Sequence, residues 1–68
     1  MKNHMKNPIL LFCLRERLSV AEFSKRVGIE RTRTHRLTHA ENVAETLTVG
    51  EMKRIFRAFP HAEFDFFN

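Results

Sequence analysis

The sequence predicts an all-α fold, a compact domain of four to five helices, and three observations lead to this prediction. The chain has 68 residues, enough for one small core and no more. Its hydrophobic share is 43 %, with seven Phe, which suffices for a compact helical core. Only two Gly and two Pro are present, whereas a sandwich or barrel needs many turn residues.

Length and composition also argue against several classes of protein. A domain this small leaves no room for a large substrate cleft, and the sequence offers no catalytic set of side chains, so we do not expect an enzyme. The single cysteine, Cys13, cannot form an internal disulfide, which favours a reducing compartment such as the cytoplasm. The longest apolar run, residues 9–14, is too short to cross a bilayer.

The chain divides into an N-terminal arm, residues 1–7, and a helical domain, residues 8–68. The arm is polar and near-repetitive, and we expect it to be disordered. A first helix is predicted from Pro8 to Arg17, because proline suits the first helical turn. Its apolar run faces all sides, so this helix needs cover on two faces, from the core and from a partner subunit.

Two short helices are predicted next. Ser19 and Glu22 have the spacing of a capping box, which begins the second helix, and Gly28 ends it. A third helix follows from about Glu30, whose carboxylate suits the positive end of a helix, to His39. Its single large apolar residue is Leu37, so the third helix exposes much polar surface.

One further helix is predicted in the C-terminal part of the chain, residues 40–68. Residues 40–47 are a connector of uncertain form. Thr48 and Glu51 form a second capping box, and apolar residues then recur at helical spacing until Pro60 ends the helix. The tail, residues 61–68, alternates apolar and polar residues and suits an edge strand or a short helix. Its three aromatic residues are expected either to complete the core or to form a dimer interface: Phe64, Phe66 and Phe67.

Charge indicates a polyanionic partner. The net charge is +4 and the isoelectric point is about 10.0. Residues 15–39 hold seven basic and three acidic groups, whereas residues 40–68 hold three basic and five acidic groups. A basic middle followed by a mildly acidic end predicts one face for phosphate and another for protein or water.

A short helix, a glycine turn and a second, basic helix together describe a helix-turn-helix, whose second helix enters the DNA major groove. From about Leu14 to Phe67 the sequence resembles the Cro/CI-type, lambda-repressor-like (XRE) DNA-binding domains. The segment 28–37 is similar to the turn and recognition helix of that family, and the segment 48–59 to its fourth helix. Thr34 stands where the family usually buries Ile or Val, so its hydroxyl bonds a backbone carbonyl or the helix sits differently.

The resemblance implies the roles of individual residues. Side chains on the leading turns of the recognition helix are expected to contact bases, and the guanidinium groups among them suit guanine: Arg31, Thr32, His35 and Arg36. Ser19 and Arg33 are expected to contact phosphate. His35 and His39 have the spacing of two zinc ligands, but the sequence provides no third ligand, so we expect no metal and no cofactor.

The predicted function is therefore sequence-specific DNA binding by a transcriptional regulator, in the simplest case a repressor that binds an inverted-repeat operator as a homodimer. Stand-alone members of the family are often phage or mobile-element regulators, including those associated with anti-CRISPR operons, so the resemblance implies the cytoplasm of a prokaryotic cell or a phage-infected host. The alternative is a protein-interaction module, such as an antitoxin-like partner that uses the apolar tail. Binding of RNA, or non-specific binding of nucleic acid, is the weakest of the three hypotheses. It would need aromatic residues that stack on bases, whereas every Phe falls on an expected core stripe or in the tail.

Overall fold

A computed structural model of the protein describes residues 7–62, and within this range it contains five α-helices and no strand. The all-α prediction is confirmed. The helices are α1 (Pro8–Glu16), α2 (Val20–Val27), α3 (Arg31–Thr38), α4 (Val43–Thr46) and α5 (Val49–Ala58). The tail, whose form the sequence left open, lies outside the described residues beyond Ala62.

The start of α1 corrects one boundary. Pro8 opens the helix as predicted, but Asn7, which we placed in the N-terminal arm, is the buried N-cap residue of α1. Its Oδ1 accepts hydrogen bonds from the backbone N–H groups of Ile9 (3.0 Å) and Leu10 (3.1 Å). An asparagine oxygen is one of the preferred acceptors at this position. Asn7 therefore belongs with the helical domain.

The end of α1 is unusual because a residue other than glycine adopts the left-handed conformation there. Arg17 has φ 58° and ψ 41°, and its N–H donates to the carbonyl of Leu14 (3.3 Å). The N–H of Leu18 then donates to the carbonyl of Cys13 (2.9 Å). These two bonds close the helix, and only three residues, 17–19, separate α1 from α2.

The two predicted capping boxes are both present. Ser19 Oγ accepts from the Glu22 N–H and the Glu22 carboxylate accepts from the Ser19 N–H, and Thr48 and Glu51 repeat the arrangement at α5. The connector of uncertain form contains the one-turn helix α4, capped by Asn42. The sequence therefore predicted the start of a helix best where a capping signal stands at that start.

An aromatic cluster holds the helices together. The rings of Phe12 and Phe59 meet edge to face at 4.9 Å between centroids, and those of Phe23 and Phe59 stack at 5.7 Å. Phe23, Ile9, Leu37 and Ile55 have no exposed surface. Cys13 is also part of this core, where it packs as a small hydrophobic residue, and burial raises its pKa to about 11.

One face of α1 remains exposed. Leu11 is 43 % exposed and Leu14 is 61 % exposed, whereas Ile9, Phe12 and Cys13 on the opposite face are buried. The apolar run thus covers the core with one side only. Between residues 7 and 62 there is no helix long and apolar enough to span a membrane.

Candidate nucleic-acid interface

The turn between α2 and α3 is built around Gly28. Its φ of +73° lies in the left-handed region, where a side chain is strained, and it is the C-cap of α2. Buried Ser24 donates its hydroxyl hydrogen to the carbonyl of Ile29, and Arg54 Nη1 donates to the Gly28 carbonyl at 2.9 Å. The turn is therefore held from α2 and from α5.

The inner side of α3 consists of Leu37 and two threonines. Leu37 and Thr34 are fully buried, and Thr38 is nearly so. Thr34 Oγ1 donates to the Glu30 carbonyl at 3.0 Å, so the first of the two expected outcomes for Thr34 is the observed one. Thr38 Oγ1 donates to the His35 carbonyl at 2.7 Å. Each buried hydroxyl is satisfied within its own helix, which lets α3 pack without a second large apolar residue.

The outer side of α3 brings together the four residues predicted to contact bases. Arg31, Thr32, His35 and Arg36 are all exposed, and at 100° per residue they lie within one face of the helix. Glu30 precedes them as the N-cap, without a side-chain hydrogen bond to the helix. The described structure thus presents a short helix with two guanidinium groups, a hydroxyl and an imidazole on its open side.

Asn7 fixes the carboxyl end of α3. Its Nδ2 donates to the carbonyl of Leu37 at 2.8 Å and to that of Ala40 at 3.0 Å, while its Oδ1 caps α1. One side chain therefore joins the first turn of α1 to the last turn of α3. We missed this residue in the sequence, although an Asn directly before a helix-opening Pro is a capping signal.

Arg33 has partners within the protein. Its Nε donates to Glu51 Oε2 at 2.7 Å, and its Nη2 donates to Glu51 Oε1 at 2.9 Å and to the Thr46 carbonyl at 2.7 Å. These bonds hold the pKa of the Glu51 carboxyl far below its usual range, at about 2. The phosphate contact expected of Arg33 stays a prediction. Three N–H bonds of its guanidinium group already go to Glu51 and Thr46.

Ser19 is exposed at the start of α2, as its predicted phosphate contact requires. Its hydroxyl caps the helix by accepting from the Glu22 N–H at 3.0 Å. The second bond of this capping box, donated from the Ser19 backbone N–H to the Glu22 carboxylate, lowers the pKa of Glu22. An ionised carboxylate thus stands beside the helix end where the phosphate contact is expected.

The two histidines of α3 are neighbours. The ring centroids of His35 and His39 are 4.4 Å apart, and His39 Nδ1 lies 3.0 Å from the His35 carbonyl oxygen. Within residues 7–62, no group of three His, Cys, Asp or Glu side chains is placed to hold a metal ion. The pair therefore extends the polar surface at the carboxyl end of α3.

A groove lies on the side of the molecule where the described chain ends. Its volume is about 490 Å³, and it is lined by the carboxyl-terminal half of α1 and by residues 58–62. Phe12 and Phe59 form its apolar wall, and Arg15 and Glu16 supply charge. The residues predicted to form a dimer interface, Phe64, Phe66 and Phe67, lie outside the described residues.

Comparison with protein-family models, with curated proteins and with solved structures found no match to this chain.

Proposed function

We propose that this protein is a sequence-specific DNA-binding regulator of transcription that inserts α3 into the major groove. The observation that supports this most is the common exposed face of Arg31, Thr32, His35 and Arg36 on a helix that follows a glycine turn. This is the arrangement of a helix-turn-helix, in which the second helix reads base edges.

The chemistry of that face suits duplex DNA. A guanidinium group can bond the O6 and N7 atoms of guanine through two hydrogens, and Arg31 and Arg36 both offer such a fork. Thr32 provides a hydroxyl and a methyl group, which suit a base edge or a thymine methyl. The eight residues of α3 extend about 12 Å, about the length of three to four base pairs.

A single module of this size contacts few bases, so the proposal includes a homodimer on an inverted repeat, with half-site centres about 34 Å apart. Repression would follow by occupation of promoter DNA. Ser19 and the start of α2 are the proposed phosphate contacts, which set the register of the helix on the duplex. The alternative, a protein-interaction module, is favoured by one observation, the exposure of Leu11 and Leu14 on α1.

The experiment is a selection of duplexes from a random pool, followed by titration of the selected and a scrambled duplex at several salt concentrations. We expect the wild type to prefer the selected duplex by about a thousandfold or more, with both affinities falling steeply as salt rises. Arg36→Ala should reduce that preference about tenfold or more. The matched control is Arg57→Ala, which removes the same charge from the last turn of α5.

Two results would contradict the proposal. One is a pool that yields no enriched sequence, together with equal affinity for all duplexes. The other is an equal loss of preference in Arg36→Ala and Arg57→Ala, since α3 would then have no special role. In either case the protein-interaction alternative becomes the better explanation, and the exposed leucines of α1 are the surface to test.

A further inference from the structure

The bonds between Arg33 and Glu51 connect three helices through one carboxylate. Arg33 is in α3, Thr46 is the last residue of α4, and Glu51 is in the first turn of α5. Glu51 Oε1 accepts both from the Thr48 N–H, as part of the α5 capping box, and from Arg33 Nη2. We name these contacts among Arg33, Thr46 and Glu51 the clasp. The cap of α5 and the position of α3 thus depend on the same carboxylate.

The clasp lies where it can restrict rotation of α3 about its own helix axis. Arg33 is on the flank of the helix, between exposed Arg36 and buried Leu37. Leu37, Thr34 and Thr38 bury the inner side of α3, and Leu37 is the one large apolar side chain among them. The bonds of Arg33 add a fixed direction at the flank of the helix. A rotation of about 20° moves side-chain tips by about 2 Å, which is far more than a base contact tolerates.

We propose that Glu51, acting through Arg33, is a positioning residue that sets the rotation of α3 and withdraws the Arg33 charge from the DNA-facing surface. The inference rests on the proposed function. Its chemical basis is the bidentate pairing of a planar guanidinium with a carboxylate, which fixes direction as well as distance. The pair is partly shielded, since the Glu51 side chain is 15 % exposed and that of Arg33 is 31 % exposed.

The proposal predicts opposite changes in affinity for the selected duplex and for the scrambled duplex. Glu51→Gln removes the charge that neutralises Arg33, so a cation is released at the flank of α3. Affinity for a scrambled duplex should rise a few-fold, and the slope of log affinity against log salt should steepen by about 0.9. Affinity for the selected duplex should fall about tenfold, because α3 loses its fixed rotation. Arg33→Gln should lose the preference without gaining scrambled-duplex affinity.

The matched control is Thr48→Ala. It removes the hydroxyl of the same capping box and costs about the same helix stability, but leaves the clasp intact. We expect Thr48→Ala to keep the ratio of the two affinities. Equal ratios in Glu51→Gln and Thr48→Ala would overturn the proposal, because Glu51 would then act through the stability of α5 alone.

A second measurement does not depend on DNA. Amide hydrogen exchange of Thr34 and Leu37 in α3 should become about tenfold faster in Glu51→Gln than in Thr48→Ala. Exchange at equal rates in both variants would overturn the positioning role. If the wild type shows no preference among duplexes, the proposed function fails, and this comparison still decides whether Glu51 positions α3.

Discussion

Buried polar side chains make hydrogen bonds that hold the helices of this protein in place. Asn7 is 4 % exposed, and both groups of its side-chain amide are used: Oδ1 accepts two bonds from the start of α1, and Nδ2 donates two bonds to the end of α3. Thr34 and Thr38 are buried with their hydroxyls bonded. The threonine bonds are local, within α3, whereas the two donor bonds of Asn7 reach backbone carbonyls 30 and 33 residues away in sequence.

Substitution of Asn7 separates its two roles. Asn7→Ala should lower the free energy of unfolding by about 2 kcal/mol, since it removes a helix cap and leaves two buried carbonyls without these donors. Asn7→Asp keeps the capping acceptor but turns an oxygen toward the carbonyls of Leu37 and Ala40, so it should lower stability by more, about 3 kcal/mol. Urea denaturation at pH 7 measures both values.

The order of the two variants is the decisive part. If Asn7→Asp is as stable as the wild type, capping of α1 accounts for the whole effect, and the bonds to α3 contribute nothing. Asn7→Ser, which retains a capping oxygen without the amide donors, is the control and should lie between the wild type and Asn7→Ala.

The sequence predicted the exposed residues of α3 better than it predicted their supports. Arg31 and Arg36 follow from helical periodicity, which needs only local information. Asn7 contacts a carbonyl 30 residues away, and Glu51 contacts a side chain 18 residues away. No local pattern contains those distances. The internal partner of Arg33 shows the same limit, because a basic residue on a polar helix gives no sign of a carboxylate 18 residues away.

At the scale of elements, ends were predictable where the cap is local. Ser19 and Thr48 each carry a Glu three residues later, and both helices begin there. The end of α1 was predicted at Arg17, one residue beyond its last helical residue, Glu16, but the left-handed conformation there was not. Left-handed residues are usually Gly or Asn, so Arg17 carries no such signal, and the chain turns there to return Leu18 to the core. The one-turn helix α4 was not predicted for a similar reason, since four residues carry almost no periodicity.

The left-handed residue leads to a stabilising substitution. Arg17→Gly should raise the free energy of unfolding by about 0.5–1 kcal/mol, because relief of the strain at φ 58° exceeds the entropic cost of glycine. Arg17→Ala removes the same charge and keeps the strain, so it should leave stability unchanged within about 0.5 kcal/mol. Thermal or urea unfolding compares the three proteins. A loss of stability in Arg17→Gly would show that the Arg17 side chain itself holds the turn.

At the scale of the whole molecule, charge and stability are linked through Glu51. Its pKa is about 2 in the folded protein and 4.5 ordinarily, so the folded state favours the ionised carboxylate. The resulting stabilisation is complete above pH 4.5 and is lost as pH falls through about 2.

This linkage predicts a pH-dependent difference between two proteins. Glu51→Gln should be less stable than the wild type by about 1–2 kcal/mol at pH 6, a value reduced by the partial exposure of Arg33. The difference should shrink as pH falls toward 2, because the wild-type carboxyl then becomes protonated. Urea denaturation between pH 2 and pH 7 tests this, with Glu45→Gln on α4 as the control. A difference that is constant with pH would mean that the ion pair does not stabilise the fold.

The burial of Cys13 has a practical consequence for spectroscopy. It is the single thiol of the chain and is 2 % exposed, with a raised pKa that keeps it protonated at neutral pH. A cysteine introduced by Arg57→Cys at the exposed last turn of α5 would therefore be the one that reacts with a maleimide dye in the native protein. A fluorophore attached there would leave the open side of α3 free, and its anisotropy would rise when a bound duplex slows the rotation of the protein.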